Sequence, residues 1–271
     1  MKIFDVFLFH KEFAALDIRL NLLYPYVDYF VLVESKITFS GKAKPLYFYN
    51  NAQKYEKFLK KIIYLEAPEV FIPQNLWYNE WFYRNFGVMG LQDSKPDDVI
   101  FYSDVDEIVN PEIIKGLNYD EPLTFQQAYH YYKLNLKCTN LPIWHGTTAC
   151  KKKDIIFPKE YSLEEYANKE RGFQKLREDR RKHKQIENAG WHYSFLLETK
   201  DIQEKLRAYC HSPELDKPIF NNPDHINSCI EKGTSIWFES DNNKFEKIEL
   251  NETNTHSYIL NNKKEFSHLI L

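Results

Sequence analysis

VIFYSDVDEIVNP, residues 99–111, is the stretch on which the reading of this chain turns. Its apolar and aromatic start predicts a buried strand over Val99–Ser103. That strand runs into three carboxylates, Asp104, Asp106 and Glu107. Burying carboxylates a residue apart costs desolvation and mutual repulsion unless a counter-charge is present. A divalent cation meets the need: hard oxygen ligands suit Mg²⁺ or Mn²⁺, which keep positions open for water and substrate phosphates. A bare D-x-D is more often a solvated turn, since acids are common there. The preceding strand and the adjoining Glu107 tip the balance toward a metal site.

Working outward, strand and helix signals alternate. Ile3–Phe9 reads as a strand, and Ala14–Leu23 as a helix with Leu16, Leu20 and Leu23 on one stripe. Asp28–Glu34 is a nearly continuous apolar run, as in a parallel strand covered on both faces. Residues 51–61 read as a helix, Lys61–Leu65 as a short strand and Asn75–Leu91 as a helix. The expected class is α/β, with a mostly parallel central sheet flanked by helices. Ligands of such sheets sit beyond the carboxyl ends of the strands, which puts Glu12, Glu34 and the Asp104 cluster on one rim. No glycine-rich loop is present, so neither a P-loop nor a dinucleotide fingerprint is available. Further on, Leu123–Leu136 reads as one or two strands, residues 171–184 are strongly basic, and residues 189–196 read as a strand. Thr199–Tyr209 and Asp224–Glu231 read as helices. With no repeat and no clear linker, residues 1–271 are expected to form a single domain.

Hydrophobic residues make up 43% of the chain and charged residues 28%. That balance excludes a disordered chain. A net charge of −3 gives no reason to expect nucleic acid as a partner. The aromatic share is 16%. It suits sugar stacking, but a Tyr- and Phe-rich core is the plainer explanation. None of the four cysteines forms a C-x-x-C pair, which argues against a zinc ribbon or redox motif. No run reaches transmembrane length, and KIFDVFLF reads as a first strand rather than a signal peptide. The expectation is a cytoplasmic protein with reduced thiols and no transmembrane anchor.

Other side chains join the site by the same logic. Arg19 and Arg84 lie on helices with apolar faces, and either could grip a phosphate bidentately, although such arginines are usually solvated. Lys42 and Lys44 share a loop with Gly41 and Pro45 that could close over an anion or stay wet. His192 is a possible third metal ligand, against the commoner role of a hydrogen-bonded core histidine. The 171–184 run is ordinarily a solvated face, yet a cationic loop can fold over a pyrophosphate.

The ordered set HKEFAALDIRLNLLYPYVDYFVLVES, TFSGKAKPL, WYNEWFYRN, IFYSDVDEIVNPE, ENAGWHYSF and AYCHSPE resembles glycosyltransferase family 17 over residues 3 to about 215. That is the group of the β-1,4-mannosyl-glycoprotein N-acetylglucosaminyltransferases. The resemblance implies a GT-A-like nucleotide-diphospho-sugar transferase fold, with residues 1–110 as nucleotide-binding half and residues 111–271 as acceptor-side half. It implies substrate-binding roles for Glu12, Arg19, Glu34, Lys44, Glu80, Arg84, Trp191, His211 and Glu214. Asp104, Asp106 and Glu107 match S-D-V-D-E and His192 matches G-W-H-x-S. The implied partners are a UDP-sugar donor and a glycan acceptor, and the implied cofactor is Mn²⁺ or Mg²⁺ on Asp104, Asp106 and His192. The general base stays open among Glu107, Glu178, Asp179 and Glu214. Two other readings compete: a non-catalytic glycan-binding module, and a D-x-D phosphatase, which would normally carry that motif on its first strand.

Overall fold

The structure, a computed structural model, describes residues 1–237 and 242–271. Among these the chain forms eleven strands in one sheet flanked by helices. In chain order they are β1 (Ile3–Leu8), β2 (Tyr29–Ser35), β3 (Ile62–Ala67), β4 (Val99–Asp104), β5 (Glu107–Val109) and β6 (Leu123–Tyr131). There follow β7 (Leu136–Cys138), β8 (Ile143–Lys151), β9 (Lys184–Ile186), β10 (Gly190–Ser194) and β11 (Phe245–Lys247). The main path runs β11-β7-β6-β8-β4-β1-β2-β3, with β10 against β5 and β6, and β9 against β6.

The parallel part is β3-β2-β1-β4. Continuous apolar sequence becomes continuous burial, from Phe30 to Ser35 in β2 and from Val99 to Ser103 in β4. Helix Phe13–Leu23 covers one face, over Phe7, Leu32 and Phe101. Helices Leu76–Phe86 and Gly172–Glu178 cover the other, over Val6, Val31 and Ile100. Leu8 lies opposite both Val33 and Asp104, so the strands end level and their last side chains share a rim.

The expected mostly parallel sheet is corrected to a mixed one. Five of the ten pairings among the described strands are antiparallel: β4–β8, β6–β8, β6–β7, β5–β10 and β7–β11. A parallel return needs a long crossover, usually a helix. Between β4 and β6 the chain has only the short strand β5 and the four-residue helix Pro111–Ile114, and β8 inserts antiparallel beside β4. Strand β8, IWHGTTACK, carries no clean alternation, and the sequence reading leaves it unassigned.

Residues 51–61 also depart from expectation. The α-helix is only Tyr47–Asn51, and Ala52–Lys61 is 3₁₀, kinked at Tyr55. A three-residue repeat aligns Tyr55 with Phe58, and both are buried. The four cysteines are free and buried. Among the described residues, no helix is long and apolar enough to cross a membrane.

Candidate active site

A cavity of about 670 Å³ opens at the carboxyl ends of β1, β2 and β4. It is lined by ten of the residues singled out above: Glu12, Glu34, Lys44, Glu80, Arg84, Asp104, Asp106, Glu178, His192 and His211.

The turn carrying Asp104–Glu107 is held from below by Arg19. This fully buried guanidinium pairs with Asp5, its Nε donating to Oδ2 at 2.8 Å. It also donates to the carbonyls of Asp104 and Glu107 at 3.1 and 2.9 Å, and to Ser103 Oγ at 2.6 Å. Arg19 therefore builds the turn and does not face the cavity. Glu107 is sealed as well: its Oε2 accepts the Asp104 backbone N–H at 3.1 Å and its Oε1 accepts the Trp144 indole N–H at 2.7 Å.

Asp104 is claimed by two guanidiniums. Arg84 Nη1 lies 2.9 Å from Oδ1 and Arg177 Nη2 lies 2.7 Å from Oδ2. Arg177 also reaches Glu107 at 3.0 Å, and Arg84 pairs with Glu80 one turn back on its helix. Cys210 Sγ donates to the other Glu80 oxygen at 2.7 Å. A continuous chain of charged hydrogen bonds thus runs from Cys210 to Trp144 across five separate segments. Burial alone would raise the Asp104 and Glu107 carboxyls, but Arg177, with Arg84 on Asp104, holds both below their ordinary values.

Asp106 is different. Its side chain is nearly buried, yet its partners are loose: His192 Nε2 at 3.6 Å and Lys205 Nζ at 3.6 Å. Burial pushes its carboxyl up to about 7, with Asp104, Glu12 and Glu107 adding to the rise and Lys205 opposing it. Lys205 makes a closer pair with Glu12 at 3.0 Å. Burial would raise Glu12, but Lys205 and the Lys11 backbone N–H help hold it down at about 2. Burial lowers His192 to about 4, leaving a neutral imidazole, and its buried Nδ1 has no hydrogen-bond partner among the described residues.

His192 reaches this place through the pairing of β10. Gly190 has φ +137°, and a Cβ there would lie 2.1 Å from the Ile108 carbonyl oxygen. Only glycine lets β10 close against β5, with His192 opposite Glu107. The imidazole stacks on Trp144, ring centres 4.4 Å apart, and on Tyr129 at 5.2 Å.

An oxygen of Asp106 and a neutral nitrogen of His192 stand 3.6 Å apart and are not bonded to each other. The carboxylate oxygen suits Mn²⁺ or Mg²⁺, while the imidazole nitrogen is a borderline donor that fits Mn²⁺ better than the harder Mg²⁺. Both oxygens of Asp104 are taken by arginines, so its part is indirect. Among the described residues no group of three or more His, Cys, Asp or Glu side chains gathers at metal-ligand spacing. Further ligands would come from water or substrate.

The remaining expectations divide. Glu34 accepts the N–H groups of Phe48 and Tyr49 at 3.0 and 3.4 Å, docking the helix Tyr47–Asn51 while lining the cavity. Lys44 lies 3.9 Å from it. His211 sits edge-on to Trp77 and Trp237, ring centres 4.7 and 5.2 Å away. Trp191 lies off the cavity, its indole donating to the Asn254 carbonyl at 2.8 Å. Glu214 is also off the cavity, its side chain 64% exposed.

The sequence reading does not single out Lys205, Trp144 or Tyr129, and it takes Arg177 and Arg180 only as part of a basic run. Lys205 carries a signal: it sits at helical spacing beside the buried Ile202 and Leu206, where an uncompensated ammonium would be costly. Arg177 belongs to a helix whose Phe173 and Leu176 are buried, and its guanidinium turns inward with them. Arg180 lines the cavity with no ion pair among the described residues and packs 5.4 Å over the Trp144 ring. Burial, then Arg177, pushes it down to about 10.

Comparison with known proteins bears on the part of this rim that lies in the first 121 residues. The model described as glycosyltransferase family 17 matches residues 1–121, the stretch that carries β1 to β5 and the whole acidic turn. The resemblance read from the sequence is shown over that stretch. The human protein named beta-1,4-mannosyl-glycoprotein 4-beta-N-acetylglucosaminyltransferase is 32% identical over 133 residues, 46% of this chain and 25% of its own length. Its rat counterpart is 32% identical and its mouse counterpart 31%, each over 24% of its length. The similarity thus spans about a quarter of each relative. Family and named relatives alike are glycosyltransferases.

Proposed function

We propose that this chain is a metal-dependent, inverting glycosyltransferase of GT-A-like fold that moves GlcNAc from a UDP-sugar to a glycan hydroxyl. In this reading residues 1–110 form the nucleotide side and residues 111–271 the acceptor side. The observation that carries it is the meeting, in one cavity at the strand ends, of Asp104 and Asp106 with Arg180, a cation without an ion pair among the described residues. The family match and the names of the relatives support sugar transfer and GlcNAc as the sugar.

A Mn²⁺ or Mg²⁺ ion held by Asp106 and His192 would supply Lewis-acid neutralisation of the diphosphate leaving group. Arg180 and Arg181 line the same cavity and donate to phosphate oxygens. Arg84 and Arg177 keep Asp104 ionised and fixed, so the electrostatics of the rim are organised before substrate arrives. Of the four carboxylates weighed as general base, Glu178 alone lines the cavity. Gln174 Nε2 donates to one of its oxygens at 2.7 Å. The other oxygen is left to take the acceptor proton.

The test is a donor screen with UDP-GlcNAc, GDP-mannose and dTDP-glucose, each with Mn²⁺. Release of UDP from UDP-GlcNAc, lost in EDTA, is expected. Neither release nor thermal stabilisation by any nucleotide sugar would overturn the proposal.

A further inference from the structure

We infer that Lys205 is the resident cation of Asp106, and that a divalent metal reaches this carboxylate only together with a diphosphate-bearing ligand. The inference rests on the metal reading above and adds a residue and an order of binding to it.

Lys205 is held, not waving. Its helix, Thr199–Ala208, buries Ile202 and Leu206 on the stripe from which the lysine stem emerges. The same helix is pinned to the loop after β1 by Lys11, whose Nζ lies 2.7 Å from Asp201 and 2.6 Å from Glu204. It is pinned to the loop after β2 by Ser40, whose Oγ donates to the Arg207 carbonyl at 2.7 Å. Its ammonium therefore stands at a fixed place between Glu12 and Asp106, 5.1 Å over the Phe195 ring. Phe195 itself has φ +52°. For a bulky residue that conformation is strained, and it persists only where the surroundings enforce it.

Charge counting shows the consequence. Among the described residues, the cavity is lined by six carboxylates, Glu12, Glu34, Glu80, Asp104, Asp106 and Glu178, and by six cations, Lys44, Arg84, Arg177, Arg180, Arg181 and Lys205. A bare dication therefore meets little net negative charge there, with Lys205 repelling it at the carboxylate it must use. It also finds only two protein donors, Asp106 and His192, among the described residues. An octahedral ion requires about six ligands. A diphosphate corrects both shortfalls, because it brings oxygens for the metal and negative charge for Lys205 and Arg180. Metal and diphosphate then strengthen each other's binding by the same factor.

The test needs no sugar transfer. Free Mn²⁺ is measured by electron paramagnetic resonance in titrations of the full chain, with and without UDP. Wild type should bind Mn²⁺ at least about tenfold more tightly with UDP present. Lys205→Met should tighten Mn²⁺ binding without UDP at least about tenfold, since a like charge has gone, and should shrink the gain from UDP. Glu12→Gln is the second variant: it leaves Lys205 to Asp106 alone and should weaken binding of Mn²⁺ by itself, with circular dichroism reporting the fold of both. Equal Mn²⁺ affinity with and without UDP, or Lys205→Met binding Mn²⁺ alone no more tightly than wild type, overturns the inference. A negative donor screen alongside intact Mn²⁺–UDP coupling would defeat the transferase proposal and leave this one standing.

Discussion

The parallel strands β3-β2-β1-β4 and the mixed strands beyond them divide most of the site's charges unequally, acids on the first side and cations on the second. The first region, with its loops and helices and the acidic turn at its end, supplies most of the acids, Glu12, Glu34, Glu80, Asp104, Asp106 and Glu107, and two cations, Lys44 and Arg84. The second supplies Arg177, Arg180 and Lys205, the imidazole of His192 and the indole of Trp144. Neither region makes a workable site alone. Acids gathered at the ends of buried strands are unstable without partners, and most of the partners here come from segments 70 to 100 or so positions away in the chain. The division teaches that the acidic turn marks where chemistry is placed, while the second region sets its charge state.

The sharpest way to break that division is Arg177→Met. It removes the guanidinium shared by Asp104 and Glu107 and leaves Glu107 as a fully buried carboxylate. Breaking one side of a buried pair costs about 3–5 kcal/mol. The midpoint of urea unfolding should fall accordingly, and transfer should fall with it. Unfolding unchanged in Arg177→Met would mean that the second region decorates the acids rather than supporting them.

Asp106→Asn tests the first region with little change of shape. Burial raises the Asp106 carboxyl to about 7 and its contacts to His192 and Lys205 are long, so removing its charge should not weaken folding at neutral pH. UDP-GlcNAc turnover should fall by about 10²–10³, as for loss of one preorganised electrostatic group. A variant that retains full turnover would remove Asp106 from the machinery.

A pH titration sharpens the comparison at the Glu12–Lys205 contact, where the two regions meet. Glu12 is held at about 2 against an ordinary 4.5, so its contribution is fully present above about 4.5 and lost as pH falls toward 2. The amount is at most about 3 kcal/mol. Glu12→Gln should be less stable than wild type at neutral pH, and the difference should close over that window in thermal unfolding scans. A difference that persists at pH 2 would put the effect in packing rather than charge.

How much of this was legible follows the same line. Strands β1, β2 and β4 and the helices Phe13–Leu23 and Leu76–Phe86 are announced by local apolar periodicity, and the acidic turn by its place at a strand end. Strand β8 is not, because Gly146 and paired threonines hide it. A Cβ on Gly146 would lie 1.9 Å from Gln127 Oε1, so the Gln127 amide packs into the space that the missing side chain leaves, a tertiary contact the local sequence does not announce. Arg19 and Arg84 look alike in sequence, each on a helix with an apolar face. One is sealed under the turn and the other faces the cavity, a difference decided by Asp5 within β1 and Asp104 at the end of β4. Lys205 is legible in principle, as a lysine beside a buried stripe, but its partners Glu12 and Asp106 lie some 100 or more positions away.

The smallest effect belongs to Glu214, which the resemblance groups with His211 but which, unlike His211, does not line the cavity. Its carboxylate is 4.0 Å from His211 Nδ1, mostly exposed, and off the cavity. Exposed pairs of this kind are worth about 0–1 kcal/mol. Glu214→Ala should therefore change stability by no more than about 0.5 kcal/mol and turnover by less than about threefold. His211→Ala, which opens the space between Trp77 and Trp237, should weaken binding of sugar ligands more than Glu214→Ala does. If the order is reversed, the functional edge of the second region runs past His211 into the short helix Ser212–Leu215, and the boundary drawn here between lining and support must move with it.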